Sequence, residues 1–286
     1  MLFRLLLLLF TASLTLGVIA APKITWLQTD WPPHQIVSGP FKNQGTFDLL
    51  RQQVVAALPQ FSHHTRLVSL ARLEQLFLQQ TPGVCAVGTL YSEERQQSRL
   101  YSTPMAVGPA ISIGFIKQDL LAHPAITDDV VDIGQLALDN RLRGAFQPSR
   151  YYSPVVVQAL QHNATNLSSH AFTSELNAAA LLRNGRVDYV LEYPERMRYY
   201  NELLEKPAKL HQLVIAGATD ASVSYITCSP GGDGEQIIAA IDAVLMQLWL
   251  QPEYVLAMRR WLDDDAWQHI QTEVLVIKQF YQDLQQ

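Results

Sequence analysis

The chain has 286 residues, of which 48% are hydrophobic and 16% are charged. This composition supplies apolar material for one or two packed cores and excludes a disordered or low-complexity chain. Lysine and arginine number 21 against 26 aspartates and glutamates, a formal net charge of −5, so no basic surplus favours a nucleic-acid partner. With only two cysteines, the chain is neither a disulfide-rich scaffold nor a four-cysteine zinc site.

The first twenty residues have the pattern of a secretory signal peptide. A basic start that ends at Arg4 precedes an apolar run over residues 5–16, and the boundary at residues 17–20 predicts cleavage after Ala20. The alternative is an uncleaved membrane anchor, for which the run is short because a spanning helix needs about 20 apolar residues. No cysteine follows the run, so no lipid anchor is predicted. We expect an exported, periplasmic protein.

Export bears on the two cysteines, Cys85 and Cys228, which both lie in strand-like runs. In an oxidising compartment a cysteine pair is more often bridged than free. A bridge requires α-carbons within about 7 Å, and this separation cannot be measured from the sequence. A disulfide and two buried free thiols both remain open.

Beyond residue 20, short apolar runs alternate with segments of helical periodicity. The runs predict strands over residues 24–27, 65–68, 84–87, 110–116, 144–146 and 187–191. The periodic segments predict helices over residues 48–58, 71–80, 153–161, 175–183, 235–250 and 254–262, with Thr173 or Ser174 as the cap of the fourth. This alternation is typical of an α/β protein with two units, each an open, mostly parallel sheet flanked by helices.

Motifs of catalysis and metal binding are few. The sequence contains no nucleophile elbow, phosphate-binding loop or zinc-binding His-Glu-x-x-His. His63 and His64 are adjacent and indicate a solvated turn, while residues 263–265 are three aspartates that indicate a solvated helix end. We therefore predict no catalytic residue, no metal and no cofactor.

Three segments carry candidate binding residues. Trp31 follows the first strand on a loop stiffened by two prolines, where its flat face could stack on a ligand or simply pack. Arg95 follows the third strand, at the carboxyl end where open α/β sheets bind ligands, and its fork suits a carboxylate; the alternative is a surface salt bridge. Gln147, Ser149 and Arg150 precede a helix whose N-terminus could hold an anion or be ordinarily capped.

These segments resemble extracellular solute-binding proteins of family 3, the two-lobed type II periplasmic binding proteins, and in particular a poorly characterised subgroup with a cysteine at position 85. The resemblance covers nearly the whole mature chain. It depends on Trp31-Pro32-Pro33, Thr46-Phe47-Asp48, Ser92 to Gln97 with Tyr101-Ser102-Thr103-Pro104, Arg183 to Asp188, and the two C-terminal helices.

The resemblance implies a first lobe over residues 21–108, a second over 109–225, and a return of 226–286 to the first. The chain would cross between the lobes near residues 107–109 and 225–228. The implied function is binding of a small polar or anionic solute, amino-acid-like or a carboxylate, between the lobes. The implied partner is a membrane ABC permease or a sensor, and we expect a monomer.

Residue by residue, the resemblance is uneven. It implies that Arg95 grips a ligand carboxylate with Trp31 stacked on the ligand, and that Ser149 and Arg150 meet the carboxylate from the second lobe. Arg72 matches a cleft arginine of some relatives, with a solvated helix arginine as the alternative.

Three positions depart from the pattern, which puts a standard amino acid in doubt as the ligand. Tyr193 stands where amino-acid binders place an aspartate for the ammonium group. Leu90 and Pro148 replace a ligand-binding serine and a glycine.

Two other functions compete with solute delivery. One is an exported enzyme on this fold, such as a dehydratase, for which Glu192 is the obvious cleft carboxyl group; a lytic transglycosylase would need an added domain. The other is a ligand-sensing or orphan protein with a degenerate cleft.

Overall fold

A computed structural model describes residues 21–148, 150, 152–170, 177–219 and 221–285. The predicted signal peptide, Ser149, and the predicted caps Thr173 and Ser174 lie outside these residues. The described chain contains two β-sheets with helices packed against them.

The first sheet has five strands in the order β2-β1-β3-β12-β4. β1 pairs in parallel with β2 and β3, whereas β12 runs antiparallel to both β3 and β4. The strands are β1 (Lys23–Gln28), β2 (Ser62–Leu67), β3 (Val84–Leu90), β4 (Leu100–Pro109) and β12 (Ala221–Cys228). The helices that belong to this sheet in chain order are α1 (Thr46–Ala57), α2 (Leu70–Leu78), α3 (Glu93–Gln96), α8 (Gly234–Leu248), α9 (Pro252–Arg259) and α10 (Asp264–Asp283).

The second sheet has seven strands in the order β6-β7-β11-β5-β10-β8-β9. Its strands are β5 (Ser112–Phe115), β6 (Ile126–Thr127), β7 (Val130–Val131), β8 (Gly144–Phe146), β9 (Leu167–Ser169), β10 (Tyr189–Glu192) and β11 (His211–Ile215). Its helices are a 3-10 helix at Gln118–Ala122, α4 (Ile133–Leu136), α5 (Pro154–Gln161), α6 (Ala178–Arg183) and α7 (Pro194–Glu202). We call the two sheets with their helices the first and second lobes.

Two strands mark the passages between the lobes. The chain leaves the first sheet at the end of β4, and it returns at Ala221, where β12 begins against Pro109 of β4. β12 pairs with β4 along its whole length. The bounds of the lobes and the places where the chain crosses between them stay a prediction.

Cys85 of β3 and Cys228 of β12 are directly opposite each other in the antiparallel pair, and their sulfur atoms are bonded at 2.06 Å. Both cysteines are fully buried in the core of the first lobe. The structure therefore holds the bridge rather than two free thiols.

Most predicted elements occur within a few residues of their expected bounds, but several strands and short helices were not predicted, and neither were two helices longer than eight residues. The tail contains three helices, not two: Asp263 accepts a hydrogen bond from Ala266 N at 2.8 Å and caps α10. Residues 263–265 are exposed and lie at a helix end, as expected, and the structure shows that this end is the beginning of α10. The other long helix that was not predicted is α7, which follows β10 and packs against the first lobe.

Candidate functional site

A cleft of about 750 Å³ lies between the lobes. Its lining comes from the loop after β1, from α2, β3 and α3 in the first lobe, and from the segments after β8 and β10 in the second. Among the predicted binding residues, those in the lining are Trp31, Arg95, Gln147, Arg150 and Tyr193. Residues from both sheets therefore meet at one site.

Asp48 fixes the loop that carries Trp31. Its Oδ2 accepts hydrogen bonds from Ile36 N at 2.8 Å and Gly45 N at 3.2 Å, and its Oδ1 accepts one from Gln28 Nε2 at 2.8 Å. The carboxyl group thus joins the end of β1, the loop and the first turn of α1. Burial raises the pKa of Asp48, against the lowering effect of these hydrogen bonds. Through Asp48, the Thr46-Phe47-Asp48 motif therefore positions the loop that carries Trp31.

Arg95 is held by the short helix α3 at the carboxyl end of β3. Ser92 caps that helix by accepting a hydrogen bond from Arg95 N at 3.2 Å, and Arg95 Nη1 donates to Leu90 O at 3.4 Å. Glu74 Oε1 lies 3.8 Å from Arg95 Nη2, but Glu74 is also the hydrogen-bond partner of Arg99. The Arg95 side chain keeps 33% of its surface exposed. Its guanidinium group can therefore still bind an anion in the cleft.

Glu192 is buried inside the second lobe and is not part of the cleft lining. Its oxygens accept from Arg150 Nη1 at 2.5 Å and Nη2 at 3.1 Å, and from Tyr193 N at 2.9 Å. Burial raises the pKa of Glu192, but the charges of Arg150 and Arg196 outweigh this effect and lower it overall. A carboxylate with 1% of its side chain exposed is a buried anion, so the candidate acid or base of a dehydratase is not presented to a substrate.

Tyr193 is where the resemblance places an ammonium-binding aspartate. The guanidinium carbon of Arg150 lies 5.6 Å from its ring centroid, and the edge of the ring meets Trp31 at 6.3 Å. Burial raises the pKa of Tyr193 to about 12, so its phenol is a neutral hydrogen-bond donor at ordinary pH.

Two other predicted residues are placed differently. Arg72 is on α2 but not in the cleft lining, and its Nη1 donates to Gln75 Oε1 at 2.6 Å. Gln147 lines the cleft, and its backbone oxygen accepts from the Tyr152 hydroxyl at 2.7 Å. The predicted role of Arg72 in ligand binding thus stays a prediction, since Arg72 is not among the lining residues.

Many lining residues were not expected from the sequence, among them Glu74, Arg99, Arg196 and Tyr200. Glu74 is on α2, and its position in the helical pattern does not distinguish a residue that lines the cleft from one that faces solvent. Arg196 and Tyr200 are one turn apart on α7, the helix that was not predicted. Among the described residues, no group of three metal-ligating side chains comes together.

Comparison with known proteins gives structural matches only. No protein-family model matches the chain, and no curated protein matches its sequence. Among solved structures, the chain is similar to a probable amino-acid ABC transporter extracellular-binding protein from Bacillus subtilis, with a TM-score of 0.66 and 14% identity. That match covers 86% of this chain and 99% of the other.

Two further matches show the range of these neighbours. A Streptococcus pneumoniae amino acid ABC transporter substrate-binding protein, bound to L-arginine, gives a TM-score of 0.61 at 18% identity over 84% of this chain and 93% of that one. A histidine kinase sensor domain similar to periplasmic binding proteins gives 0.62 at 15% identity over 85% and 96%.

At such identities the likeness shows the fold. The chain has the two-lobed α/β fold of periplasmic binding proteins, and its structural neighbours include binding proteins of amino-acid ABC transporters, so the predicted fold class is confirmed. The neighbours from ABC transporters are binding proteins. Among the described helices, none combines the length and apolar character that crossing a bilayer requires.

Proposed function

We propose that the chain is an exported solute-binding protein. It captures a small polar or anionic solute in the cleft and presents it to a membrane ABC permease or a sensor, without changing the solute chemically. The observation that carries this proposal is Arg95, a cation one-third exposed at the carboxyl end of β3, inside a cleft that both lobes line.

The chemistry of the cleft suits recognition. The Arg95 fork binds a carboxylate through two parallel hydrogen bonds, which are stronger than neutral ones because both partners are charged. Trp31 and Tyr193 add two rings at the same site, and rings of this size contribute large apolar contact areas. In the second lobe, Arg150 approaches the cleft with its charge already balanced by Glu192.

The structural neighbours include proteins of two systems, ABC transporters and a histidine kinase, so either could receive the bound solute. Export from residues 1–20 belongs to the same proposal. N-terminal sequencing of the secreted protein should begin at Ala21, and retention of Met1 in a membrane fraction would contradict export. A monomer is expected by sedimentation.

Calorimetry on Arg95→Ala tests the binding role. Amino acids, carboxylates, oligopeptides and sugars are first screened by thermal shift, where a ligand at 100 times its dissociation constant stabilises the fold by about 2.7 kcal/mol. Loss of one partner of a charge-assisted pair in a closed cleft costs about 2–5 kcal/mol, so Arg95→Ala should weaken the hit at least about 30-fold. Arg95→Lys should recover part of the affinity, since an ammonium group does not reproduce the fork.

The matched control is Arg66→Ala, which removes an exposed arginine of β2 outside the cleft lining. It should bind like the wild type. Wild-type affinity in Arg95→Ala would show that Arg95 is a surface arginine and would overturn the proposal at its main residue.

A further inference from the structure

The acidic groups of the cleft are few and already engaged. Among the described residues of the lining, the carboxylates are Asp30 and Glu74. Glu74 is the partner of Arg99 and lies 3.8 Å from Arg95, whereas Asp30 is exposed on the loop after β1. Glu192, the residue before Tyr193, lies outside the lining and forms ion pairs with Arg150 and Arg196. A ligand ammonium group would therefore find Asp30 alone, at an exposed position.

The cleft is cationic around its aromatic rings. The lining holds four arginines, Arg95, Arg99, Arg150 and Arg196, and two carboxylates. Glu192 pairs with Arg150 and Arg196 from outside the lining, so one positive charge remains in excess. The guanidinium carbon of Arg196 lies 5.8 Å from the Trp31 ring centroid and 5.5 Å from that of Tyr200. Arg150 covers Tyr193 in the same way. Each of these rings therefore already has one guanidinium group of the chain near it, which disfavours a ligand ammonium group at the same place.

One side of the cleft is apolar. Leu67, Val68, Leu70 and Leu73 line it from the end of β2 and the start of α2, with 60% of Leu67 and 55% of Leu70 exposed. Burial of such surface against a ligand is favourable by roughly 25 cal/mol for each Å². A cleft of about 750 Å³ lies toward the upper end of the roughly 300–1,000 Å³ typical of sites for larger organic ligands.

We propose that the ligand is an organic anion with an apolar body and without an ammonium group, such as an aryl or alkyl carboxylate. Its anionic group binds Arg95, and its body lies over Leu67, Leu70 and Leu73. An α-ammonium group weakens binding because it adds a cation beside Arg95, in a cleft whose guanidinium groups already outnumber its carboxylates, and because no buried carboxylate among the described lining residues is free to pair with it. This inference rests on the proposed function, since it names the class of solute for the same cleft.

Isothermal titration at pH 7.5 and fixed salt compares three probes with the same aromatic body. These are 3-phenylpropionate, L-phenylalanine, which adds the ammonium group, and 3-phenyl-1-propanol, which lacks the charge. We expect 3-phenylpropionate to bind at least tenfold more tightly than either of the others. Equal or tighter binding of L-phenylalanine overturns the inference, most directly if Asp30→Asn then abolishes that binding.

A pair of variants on α2 tests the apolar side. Leu70→Ser removes a lining side chain, and Leu78→Ser removes one that is 73% exposed on the same helix but outside the lining. Leu70→Ser should weaken 3-phenylpropionate roughly three- to tenfold, while Leu78→Ser should leave it unchanged. Equal affinities in the two variants contradict the placement of the apolar body.

Small polar acids separate this inference from the proposed function. Binding of succinate or L-glutamate without binding of 3-phenylpropionate overturns the ligand class and leaves the solute-binding function standing. If none of these compounds nor any member of the wider screen binds, both are overturned.

Discussion

His34, on the loop after β1, and Glu195, in the first turn of α7, pair across the two lobes, with His34 Nε2 3.1 Å from Glu195 Oε1. Both side chains are buried. Arg196, the next residue of α7, donates from Nη1 to the backbone oxygen of Pro32 at 2.5 Å. The Trp-Pro-Pro-His loop of the first lobe is thus bonded to one helix of the second.

Apolar contacts extend the same interface. Ile36 of the first lobe packs in one core cluster with Met197, Tyr199 and Tyr200 of α7. Phe41 meets Tyr199 and Trp261 edge to face, at centroid distances of 6.4 and 5.2 Å. The lobes are therefore connected along this side by the chain's own residues as well as by β4 and β12.

The first prediction is that His34→Ala loosens this connection. The substitution leaves the buried Glu195 carboxylate without its partner, a loss of about 1–3 kcal/mol. We expect a lower free energy of unfolding and a larger radius of gyration by small-angle scattering. His64→Ala, on the exposed side of β2, is the control and should change neither. If His34→Ala keeps both wild-type values, the pair does not hold the lobes together.

The second prediction concerns Glu192→Gln. The substitution removes the negative charge between Arg150 and Arg196, and breaking a buried ion pair on one side costs about 3–5 kcal/mol. Because the pKa of Glu192 is lowered from its ordinary 4.5, its stabilisation is present above about that pH and is lost as the pH falls below it. Urea unfolding at several pH values should show a smaller acid-dependent loss in Glu192→Gln than in the wild type, because Asp188, whose pKa is also lowered, still contributes in both.

Glu202→Gln is the matched control for that experiment. Glu202 pairs with Arg198 at 2.8 Å on the exposed side of α7, and such surface pairs contribute at most about 1 kcal/mol. A loss of stability in Glu192→Gln no larger than in Glu202→Gln would show that the buried pair is not a stabilising centre of the second lobe.

The third prediction concerns Cys85 and Cys228. They are separated by 143 residues in the sequence, and in the chain-entropy model a bridge of this length stabilises the fold by about 4–5 kcal/mol. The Cys85→Ala/Cys228→Ala double variant and the reduced wild type should both unfold at lower denaturant concentration than the oxidised wild type. Mass spectrometry of the native exported protein should find no alkylatable thiol, and two alkylated cysteines would refute the bridge.

The fold could be predicted better than the site, because the periodicity of apolar residues can be recognised within one segment of the sequence at a time. The alternation of strands and helices is visible in the chain, and the apolar residues of α1 and α8 recur at helical spacing. α10 also carries such a signal, at Ile270, Val274, Ile277 and Tyr281, but no helix was predicted after residue 262. α7 offers no comparable signal, since it is mostly polar and packs through its tyrosines.

The geometry of the site, in contrast, depends on contacts between residues that are far apart in the sequence. Trp31 and Arg95 were identified because each follows a strand of the first sheet, where ligands of open sheets bind. The pairing of Arg150 with Glu192 joins residues 42 apart, and that of His34 with Glu195 joins residues from different lobes. The sequence does not show that the second-lobe charges are balanced internally, which is why convergence of Arg72, Arg95 and Arg150 on one anion was expected.

The last prediction concerns Gly88, which lines the cleft at the middle of β3. Its φ is +78°, a conformation that side chains disfavour, and a β-carbon there would overlap the ring of Phe47. Phe47 in turn stacks on His34, with ring centroids 4.6 Å apart. Gly88→Ala therefore combines backbone strain with overpacking of a buried ring and should lower the free energy of unfolding by about 2–4 kcal/mol.

Gly185→Ala isolates the backbone contribution. Gly185 also has a positive φ, +61°, but nothing lies within 4 Å of the position where a β-carbon would be built. That variant should lose only about 1 kcal/mol in urea unfolding. Because Phe47 supports the loop that carries Trp31, Gly88→Ala should also weaken binding of any cleft ligand, whereas Gly185→Ala should not. Equal losses of stability in the two variants would show that the Phe47 ring moves aside without cost and does not fix the floor of the cleft.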